Sequence, residues 1–409
     1  MSALATLLVE KGHVVTGADR NLDTPNIRFL ESLGVKCFPD DGSGVDCETD
    51  EVIVSTAIEE TNAGLIKARQ FGIRVMHRAK ALAAALQDRK LIAVVGTCGK
   101  STVTAMLGHV LTVCGLDPLC VNGANVPGWL GAVRIPSNFK LQTSNAKLLY
   151  AVAEVDESDK SLVAFKPYAA IVTNASADHY SEAEMNEVFD AFVKDCEGPV
   201  IDARGEMYKP EDFNEQNASL AIRMAVALGC DATMARAAME SFGGVERRLQ
   251  RIGGKVYDDY AHNPEKLRSM FLALTKRHPE GVCAIWRPHG YTPLRKMLTA
   301  LAEMYAEVLR PSDQLLLLPV YDAGGTTDRS INSDSLYREI KNRSAAANVR
   351  LVSDIEESYA WCAAHKDGFA AFVTAGARDP NLPLLAKRLA NMSDALFSMQ
   401  PPRVLFSAE

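Results

Sequence analysis

The sequence predicts an α/β protein built from three units, each a parallel sheet with helices packed against it. Helical and strand-like patterns alternate along the chain, which is the order that builds parallel sheets. Several strand-like runs are almost continuously apolar, as in sheets that are buried on both faces. A length of 409 residues suits two or three domains. We place the units at residues 1–88, 89–245 and 246–409.

Composition argues against several classes of function. A net charge of −7 does not suit a general binder of nucleic acids or anionic membranes. No apolar run approaches the ~20 residues that span a bilayer, and the N-terminus lacks the basic stretch of a signal peptide. The nine cysteines are scattered and form no C-x-x-C pair. We therefore expect reduced thiols, no zinc site and a cytoplasmic protein.

The first unit alternates short helices with short strands and contains no glycine fingerprint of its own. This order predicts a parallel sheet with helices on both faces. The predicted elements are the helices Ser2–Glu10, Asn26–Leu33 and Ala63–Phe71 and the strands His13–Ala18, Lys36–Phe38 and Glu51–Ser55.

The second unit opens on the most informative stretch of the chain, LIAVVGTCGKST at residues 91–102. An apolar strand, a glycine loop, a lysine, two hydroxyl residues and a helix follow one another, which is how proteins hold nucleotide phosphates. A chance glycine turn is the alternative, and the flanking strand and helix favour phosphate. The candidate residues are Gly96, Thr97, Gly99, Lys100, Ser101 and Thr102.

Two further strands of this unit, at residues 148–154 and 169–173, end in polar residues. The first runs into the acids of EVDESD, which begins at Glu154. A carboxylate there can hold Mg²⁺ beside Ser101, and a solvated acidic loop is the alternative. The second runs into TNASADH, which ends at His179. A metal or phosphate role for this histidine competes with a purely structural one.

The third unit follows an irregular polar segment at residues 196–217 and an amphipathic helix at 217–228. Its strand end YDDYAHNP turns into a helix with Asn263 as its cap. Acids, tyrosine and histidine at such an end suit ribose hydroxyls or phosphate, and a plain capping loop is the alternative. The predicted elements are strands at 255–258, 282–286, 314–320 and 368–374 and helices at 265–276 and 294–308.

Taken together, these motifs resemble the Mur ligase family, the ATP-dependent, ADP-forming carboxylate–amine ligases of peptidoglycan synthesis. The likeness covers nearly the whole chain, and the order of the motifs makes it specific. Its motifs are GTCGKS, EVDESD, IVTNASADH, FNEQNA, GVERRL, DDYAHNP and RPHGYT. The resemblance implies an incomplete Rossmann-like N-terminal domain that binds a UDP-sugar, a central P-loop ATPase-type parallel sheet and a C-terminal Rossmann-like domain.

The resemblance also implies a reaction that uses ATP and Mg²⁺. An amino acid, for which L-alanine is the expected one, is added to a UDP-N-acetylmuramate-type acceptor through an acyl phosphate. It assigns phosphate binding to Lys100 and the loop amides, with Arg248 at the γ-phosphate and His289 near the incoming amino acid. The remaining implied roles are Mg²⁺ ligation by Ser101, Glu154 and His179, adenine contacts by Asn214 and Asn217, and ribose binding by Asp259 with Tyr260 and His262 nearby.

The sequence departs from the family at several places. The first strand and the glycine loop that grips the UDP diphosphate are missing before Met1. We expect a truncated start, and a natural protein that lacks this loop is the alternative. The stretch between His179 and Asn214 is too short for the small antiparallel sheet of the family. Gly290 and Pro293 stand where arginines would meet the amino-acid carboxylate.

These departures leave the substrates open. Arg287 or Arg295 could replace the missing arginines, and Lys194 lies where some relatives carry a carbamylated lysine. The alternatives to alanine addition are a Mur-type ligase with another acceptor or amino acid, as in muropeptide recycling, and a nucleotide-binding paralogue without ligase activity. The sequence does not indicate the oligomeric state.

Overall fold

The computed structural model describes residues 1–137, 139, 149–156, 161–175, 182–207, 209–322 and 328–394. The chain divides into two compact units. One combines Met1–Met207 with Asn214–Val245, and the other combines Tyr208–Phe213 with Glu246–Glu409. Among the described residues, every helix is too short or too polar to traverse a lipid bilayer. All nine cysteines are free thiols.

Residues 1–90 contain two parallel strand pairs rather than one sheet. β1 pairs with β2, and β3 pairs with β4. Side-chain caps begin three of the helices, because Thr24 accepts from the Ile27 N–H, Asn62 from the Leu65 N–H and His77 Nδ1 from the Ala79 N–H. The elements are α1 (Ser2–Glu10), β1 (Thr16–Asp19), α2 (Pro25–Ser32), β2 (Lys36–Pro39), β3 (Glu51–Val54), α3 (Ala63–Gln70), β4 (Arg74–His77) and α4 (Arg78–Leu86).

The following residues build a six-stranded sheet in the order β10-β9-β5-β8-β6-β7. All of its pairings are parallel except that of β6 with β7. The elements are β5 (Lys90–Val95), α5 (Lys100–Val113), β6 (Leu119–Val121), β7 (Val133–Arg134), β8 (Tyr150–Glu154), β9 (Ala169–Val172), α6 (Glu182–Val193), β10 (Val200–Asp202), α7 (Phe213–Ala227) and α8 (Ala232–Ala238). The predicted parallel sheet is confirmed.

Both faces of this sheet are covered by apolar side chains. Ala93 and Val95 of β5 pack with one group of buried residues, whereas Ile92 and Val94 pack with another. This alternation is the period of two expected along a strand. Because both faces are buried, the strand reads as a continuous apolar run, which is the signal that the sequence provides.

The other unit contains a second six-stranded sheet, in the order β11-β12-β16-β13-β14-β15. Only the β11–β12 pairing is antiparallel. The carboxyl ends of β12, β13 and β16 therefore lie at one edge. The elements are β11 (Gln250–Gly253), β12 (Val256–Asp259), α9 (Pro264–Arg277), β13 (Val282–Trp286), α10 (Tyr291–Val308), β14 (Gln314–Leu317), α11 (Ser333–Arg343), β15 (Val349–Leu351), α12 (Ile355–Ala364), β16 (Ala371–Ala375) and α13 (Asn381–Asp394).

The prediction of an irregular segment at residues 196–217 is wrong in part. It contains β10, which pairs in parallel with β9, and it contributes the start of α7. A three-residue edge strand is too short to show a period of two. The sequence also missed β4, α4 and several C-terminal elements. In α11 only Ser333, Leu336 and Ile340 are buried, so its apolar stripe is narrow.

Candidate active site

The loop between β5 and α5 has the backbone geometry of a phosphate-binding loop. Gly96 and Gly99 both have left-handed φ angles, of +125° and +85°. A Cβ at position 99 would lie 2.6 Å from Asn217 Oδ1, and one at position 96 would lie 2.9 Å from the Asn174 carbonyl oxygen. Only glycine meets both demands. The two glycines therefore let the loop pack closely against Asn174 and Asn217.

Helix α5 begins at Lys100, directly after this loop, and its N-cap residue Gly99 supplies no capping side chain. The amides of the first turn and the helix dipole are thus directed at the loop, where they favour an anion. Lys100 Nζ donates to the Gly96 carbonyl at 2.6 Å, so the lysine crosses the loop. Ser101 and Thr102 are buried in the first turn. The structure brings these predicted residues together.

Two side chains at the end of β9 brace the loop. Asn174 Oδ1 accepts from the Cys98 N–H at 2.9 Å and from Thr97 Oγ1 at 2.6 Å. Asn174 Nδ2 donates to the Cys98 carbonyl at 3.1 Å, and Thr173 Oγ1 donates to the same carbonyl at 2.6 Å. These contacts fix the loop from the neighbouring strand. The sequence located this cluster but did not identify it as the brace.

Glu154 lies at the same sheet edge as the loop. It ends β8, which pairs with β5 so that Glu154 is opposite Val94. Its Oε2 accepts from the Gly123 N–H at 2.7 Å. His179, the third predicted magnesium ligand, lies outside the described residues. Within the described ranges, no three His, Cys, Asp or Glu side chains converge on a common metal position.

The two asparagines of α7 have different surroundings. Asn217 is buried, with its side-chain amide against Gly99. Asn214 is half-buried, one turn earlier in the same helix. Lys194 follows the last residue of α6 and is exposed. The predicted adenine contacts and the carbamylated lysine stay predictions.

In the other unit, the end of β12 is held by an ion pair. Arg247 Nε donates to Asp258 Oδ2 at 2.9 Å, and Thr374 Oγ1 donates to Asp258 Oδ1 at 2.7 Å. Arg247 Nη2 also donates to the Gly376 carbonyl at 2.5 Å. Asp258 is fully buried, and burial raises its pKa while the Arg247 charge opposes that rise. The first aspartate of DDYAHNP is therefore a structural anchor.

Asp259 braces the backbone on both sides of the site. Its Oδ2 accepts from the Leu249 N–H at 2.5 Å and its Oδ1 from the Ala261 N–H at 2.7 Å. Burial raises its pKa to about 6, against the attraction of Arg248. The guanidinium of Arg248 lies 5.4 Å from the Tyr260 ring centroid. The structure thus brings the predicted Arg248, Asp259 and Tyr260 together.

Two histidines meet at this edge. The rings of His262 and His289 are 5.0 Å apart in an edge-on arrangement, and His262 Nδ1 contacts the Tyr260 carbonyl at 3.0 Å. Burial, followed by the charge of Lys266, lowers the pKa of His262 to about 4. Burial also lowers the pKa of His289. Both imidazoles are therefore neutral at neutral pH.

The two arginines that the sequence offers as carboxylate ligands are already ion-paired. Arg287 Nη1 donates to Asp379 Oδ2 at 2.5 Å, with that aspartate side chain only 1% exposed. Arg295 Nη2 lies 2.6 Å from Asp328 Oδ2. These ion pairs favour structural roles for Arg287 and Arg295. The sequence does not indicate the pair of Arg287, because its partner Asp379 is remote in the chain.

Three family models match successive parts of the chain. The Mur ligase family, catalytic domain, matches residues 1–90, the Mur ligase middle domain matches residues 94–194, and the Mur ligase, glutamate ligase domain, matches residues 247–378. A UDP-N-acetylmuramate–L-alanine ligase of Synechococcus sp. is 30% identical, with 87% of this chain and 83% of that protein covered. The chain belongs to the Mur ligase family. As a Mur ligase, it is an ATP-dependent amide ligase.

Further relatives support this assignment. A UDP-N-acetylmuramate–L-alanine ligase of Rubrobacter xylanophilus is 29% identical, over 87% of this Mur ligase and 90% of that protein. The crystal structure of UDP-N-acetylmuramate–alanine ligase from Thermotoga maritima matches with a TM-score of 0.76 at 21% identity, and the match covers 97% of each chain. At that identity the structural match supports the α/β Mur ligase fold.

Proposed function

We propose that this Mur ligase joins L-alanine to the carboxylate of UDP-N-acetylmuramate during peptidoglycan synthesis in the cytoplasm. The observation that carries the proposal is the phosphate-binding loop, with Gly96 and Gly99 packed against Asn174 and Asn217, in a chain related over 87% of its length to enzymes named for that reaction.

The chemistry that suits these residues has two steps. The acceptor carboxylate attacks the γ-phosphorus of ATP, forms an acyl phosphate and releases ADP. The amine of the amino acid then attacks the acyl carbon, and inorganic phosphate leaves with formation of the amide. Lys100, the loop amides and Arg248 stabilise the charge on the transferred phosphoryl oxygens.

Ser101, Glu154 and His179 are the proposed ligands of Mg²⁺. The hydroxyl and the carboxylate are hard oxygen donors of the kind that Mg²⁺ prefers. Ser101 lies in the first turn of α5 and Glu154 ends the strand beside β5, so both belong to the sheet edge that carries the loop. When bound, the ion neutralises phosphate charge.

The domain boundaries and the remaining site residues belong to the same proposal. We assign residues 1–88 to binding of the acceptor, 89–245 to binding of ATP and 246–409 to binding of the amino acid. In this assignment Asn214 and Asn217 contact the adenine, Asp259, Tyr260 and His262 lie by the ribose, and His289 lies by the amine.

The proposal is tested by phosphate release and product mass. The purified full chain is incubated with ATP, MgCl₂, UDP-N-acetylmuramate and each amino acid in turn. We expect L-alanine to support phosphate release and a product heavier by one alanyl residue. Lys100→Ala abolishes this activity with the fold intact, whereas Lys80→Ala, at an exposed position of α4, retains it. Release of phosphate without any ligated product contradicts the proposal and favours a paralogue without ligase activity.

A second candidate substrate is favoured by Gly290 and Pro293, which replace the arginines expected after the Pro-His motif. The same assay with the L-alanyl-γ-D-glutamyl-diaminopimelate tripeptide as the amine tests a muropeptide-recycling reaction. A ligated product from the tripeptide, without one from L-alanine, would replace the first proposal by this one.

A further inference from the structure

The loop after β16 carries an arginine that no motif of the sequence singled out. Arg378 makes no hydrogen bond or ion pair with any of the described residues, and it is exposed. Most of the other arginines that the structure describes form ion pairs, including Arg287 with Asp379 and Arg295 with Asp328. An arginine whose guanidinium N–H groups have no acceptor in the protein is available to an anionic ligand.

Arg378 lies beside the residue where the chain departs from its family. A Cβ built on Gly290 would be 4.0 Å from Arg378 Nη1, so the guanidinium lies against the glycine. Larger side chains at position 290 would reach into the space that this guanidinium uses. The loop after β13 lacks the expected arginine at position 290, and Arg378 on the adjacent loop after β16 lies next to that position.

The loop that carries Arg378 is firmly held on both sides. The Asp379 carboxylate, which is buried, accepts from Arg287 and from the Asn381 N–H at 2.9 Å. The Gly376 carbonyl accepts from Arg247 Nη2. These contacts fix the backbone before and after Arg378, so only its side chain has to be ordered when an anion binds.

Two cations act on the histidine beside Arg378. Burial lowers the pKa of the half-buried His289, and the charges of Arg378 and Lys266 lower it further. The neutral imidazole leaves these cations to a ligand that brings its own negative charge together with an amine.

We propose that Arg378 binds the α-carboxylate of the incoming amino acid and sets its position beside His289. This inference rests on the proposed ligase function. The proposed function assigns the phosphates of ATP to the loop at residues 96–101 and to Arg248, whereas Arg378 lies against Gly290, where the arginine expected for the amino-acid carboxylate is missing. The arginine pairs with the carboxylate through two parallel N–H···O bonds, and the uncharged amine remains free to attack the acyl carbon.

The experiment removes the charge from each partner in turn. Steady-state ligation is measured for the wild type and Arg378→Ala with L-alanine and with L-alaninamide, which lacks the carboxylate. We expect Arg378→Ala to raise the KM for L-alanine roughly 10- to 100-fold, with the KM values for ATP and the acceptor unchanged. The wild type prefers L-alanine to L-alaninamide, and that preference disappears in the variant. Arg378→Lys retains part of it, because the charge remains but the fork is lost.

Arg338→Ala is the matched control, since Arg338 is an exposed arginine of the same unit that pairs with Asp334. If Arg378→Ala keeps the preference for L-alanine over L-alaninamide, or if only the KM for the acceptor rises, the inference is overturned. A wild type that ligates no amino acid overturns the proposed function instead. If the wild type prefers another amino acid, that amino acid and its amide replace L-alanine and L-alaninamide. The KM and the preference for the free carboxylate are then compared between wild type and Arg378→Ala in the same way.

Discussion

The side-chain amide of Asn174 pairs with the backbone of Cys98 in both directions. It accepts from the Cys98 N–H at 2.9 Å and donates to the Cys98 carbonyl at 3.1 Å. The strand that follows the acidic motif in the sequence thereby fixes the shape of a loop that lies far earlier in the chain. This pair of hydrogen bonds links the stability of the phosphate-binding loop to the integrity of β9.

Asn174→Ala is expected to weaken ATP binding more than it weakens the fold. The substitution leaves a partly buried N–H and carbonyl of Cys98 without this partner, at a cost of about 1–3 kcal/mol. The Kd for ATP, measured by isothermal titration calorimetry, rises correspondingly. An Asn174→Ala protein that binds ATP as tightly as the wild type would show that the loop holds its shape without the brace.

Gly99→Ala is expected to abolish ATP binding, because the new Cβ would lie 2.6 Å from Asn217 Oδ1 at a φ of +85°. The matched control is Gly115→Ala, which has nearly the same φ, +82°, but no atom within 4 Å of the added Cβ. In both variants an alanine must adopt a left-handed φ, which costs about 1–2 kcal/mol. Only Gly99→Ala also has the steric clash. Equal ATP affinities for the two variants, measured by calorimetry, would contradict the steric argument.

The ionisations of Asp259 and His262 have opposite effects on stability. The folded state keeps a proton on Asp259 up to about pH 6, whereas the unfolded chain loses it near 3.8. This carboxyl therefore makes the free energy of unfolding fall by about 3 kcal/mol as pH rises through that window. His262 stays neutral in the folded state down to about pH 4 but ionises near 6.5 when unfolded, so its contribution rises with pH.

Single variants separate these two contributions. We expect Asp259→Asn to make the free energy of unfolding rise more steeply with pH between about 4 and 6.5 than it does in the wild type. His262→Gln has the reverse effect on the slope. Urea unfolding across that pH range provides the measurement, and identical slopes for wild type and Asp259→Asn would contradict the raised pKa of Asp259.

Arg247→Ala is expected to destabilise the unit that contains it by about 3–5 kcal/mol, because it leaves the buried Asp258 carboxylate without its charge partner. Adding Asp258→Asn to this variant restores part of the loss, since the unpaired charge disappears. Thermal and urea unfolding of both variants gives the comparison. A loss below about 1 kcal/mol for Arg247→Ala would show that the pair contributes as little as an exposed ion pair.

Much of the fold, including the glycine loop and the strand and helix on either side of it, follows from local patterns. The continuous apolar runs of β5, β8 and β9 predict strands buried on both faces, and the structure confirms them. Asn263 caps α9, as its place before Pro264 predicts. Short or narrow elements such as β10 and α11 carry too few residues for a periodic signal, which is why the sequence missed them.

What the sequence alone determined is the glycine loop, its lysine and the helix that follows, because strand period, glycine spacing and helix start are properties of neighbouring residues. Only the tertiary structure decided that Asn174 braces this loop, that Arg287 is taken by Asp379 and that Arg378 is not paired with the described residues. Ion pairs and hydrogen bonds join residues that are distant in the chain. The physical reason is that these side-chain pairs depend on which strands are neighbours in a sheet. That order cannot be read from any single segment of the sequence.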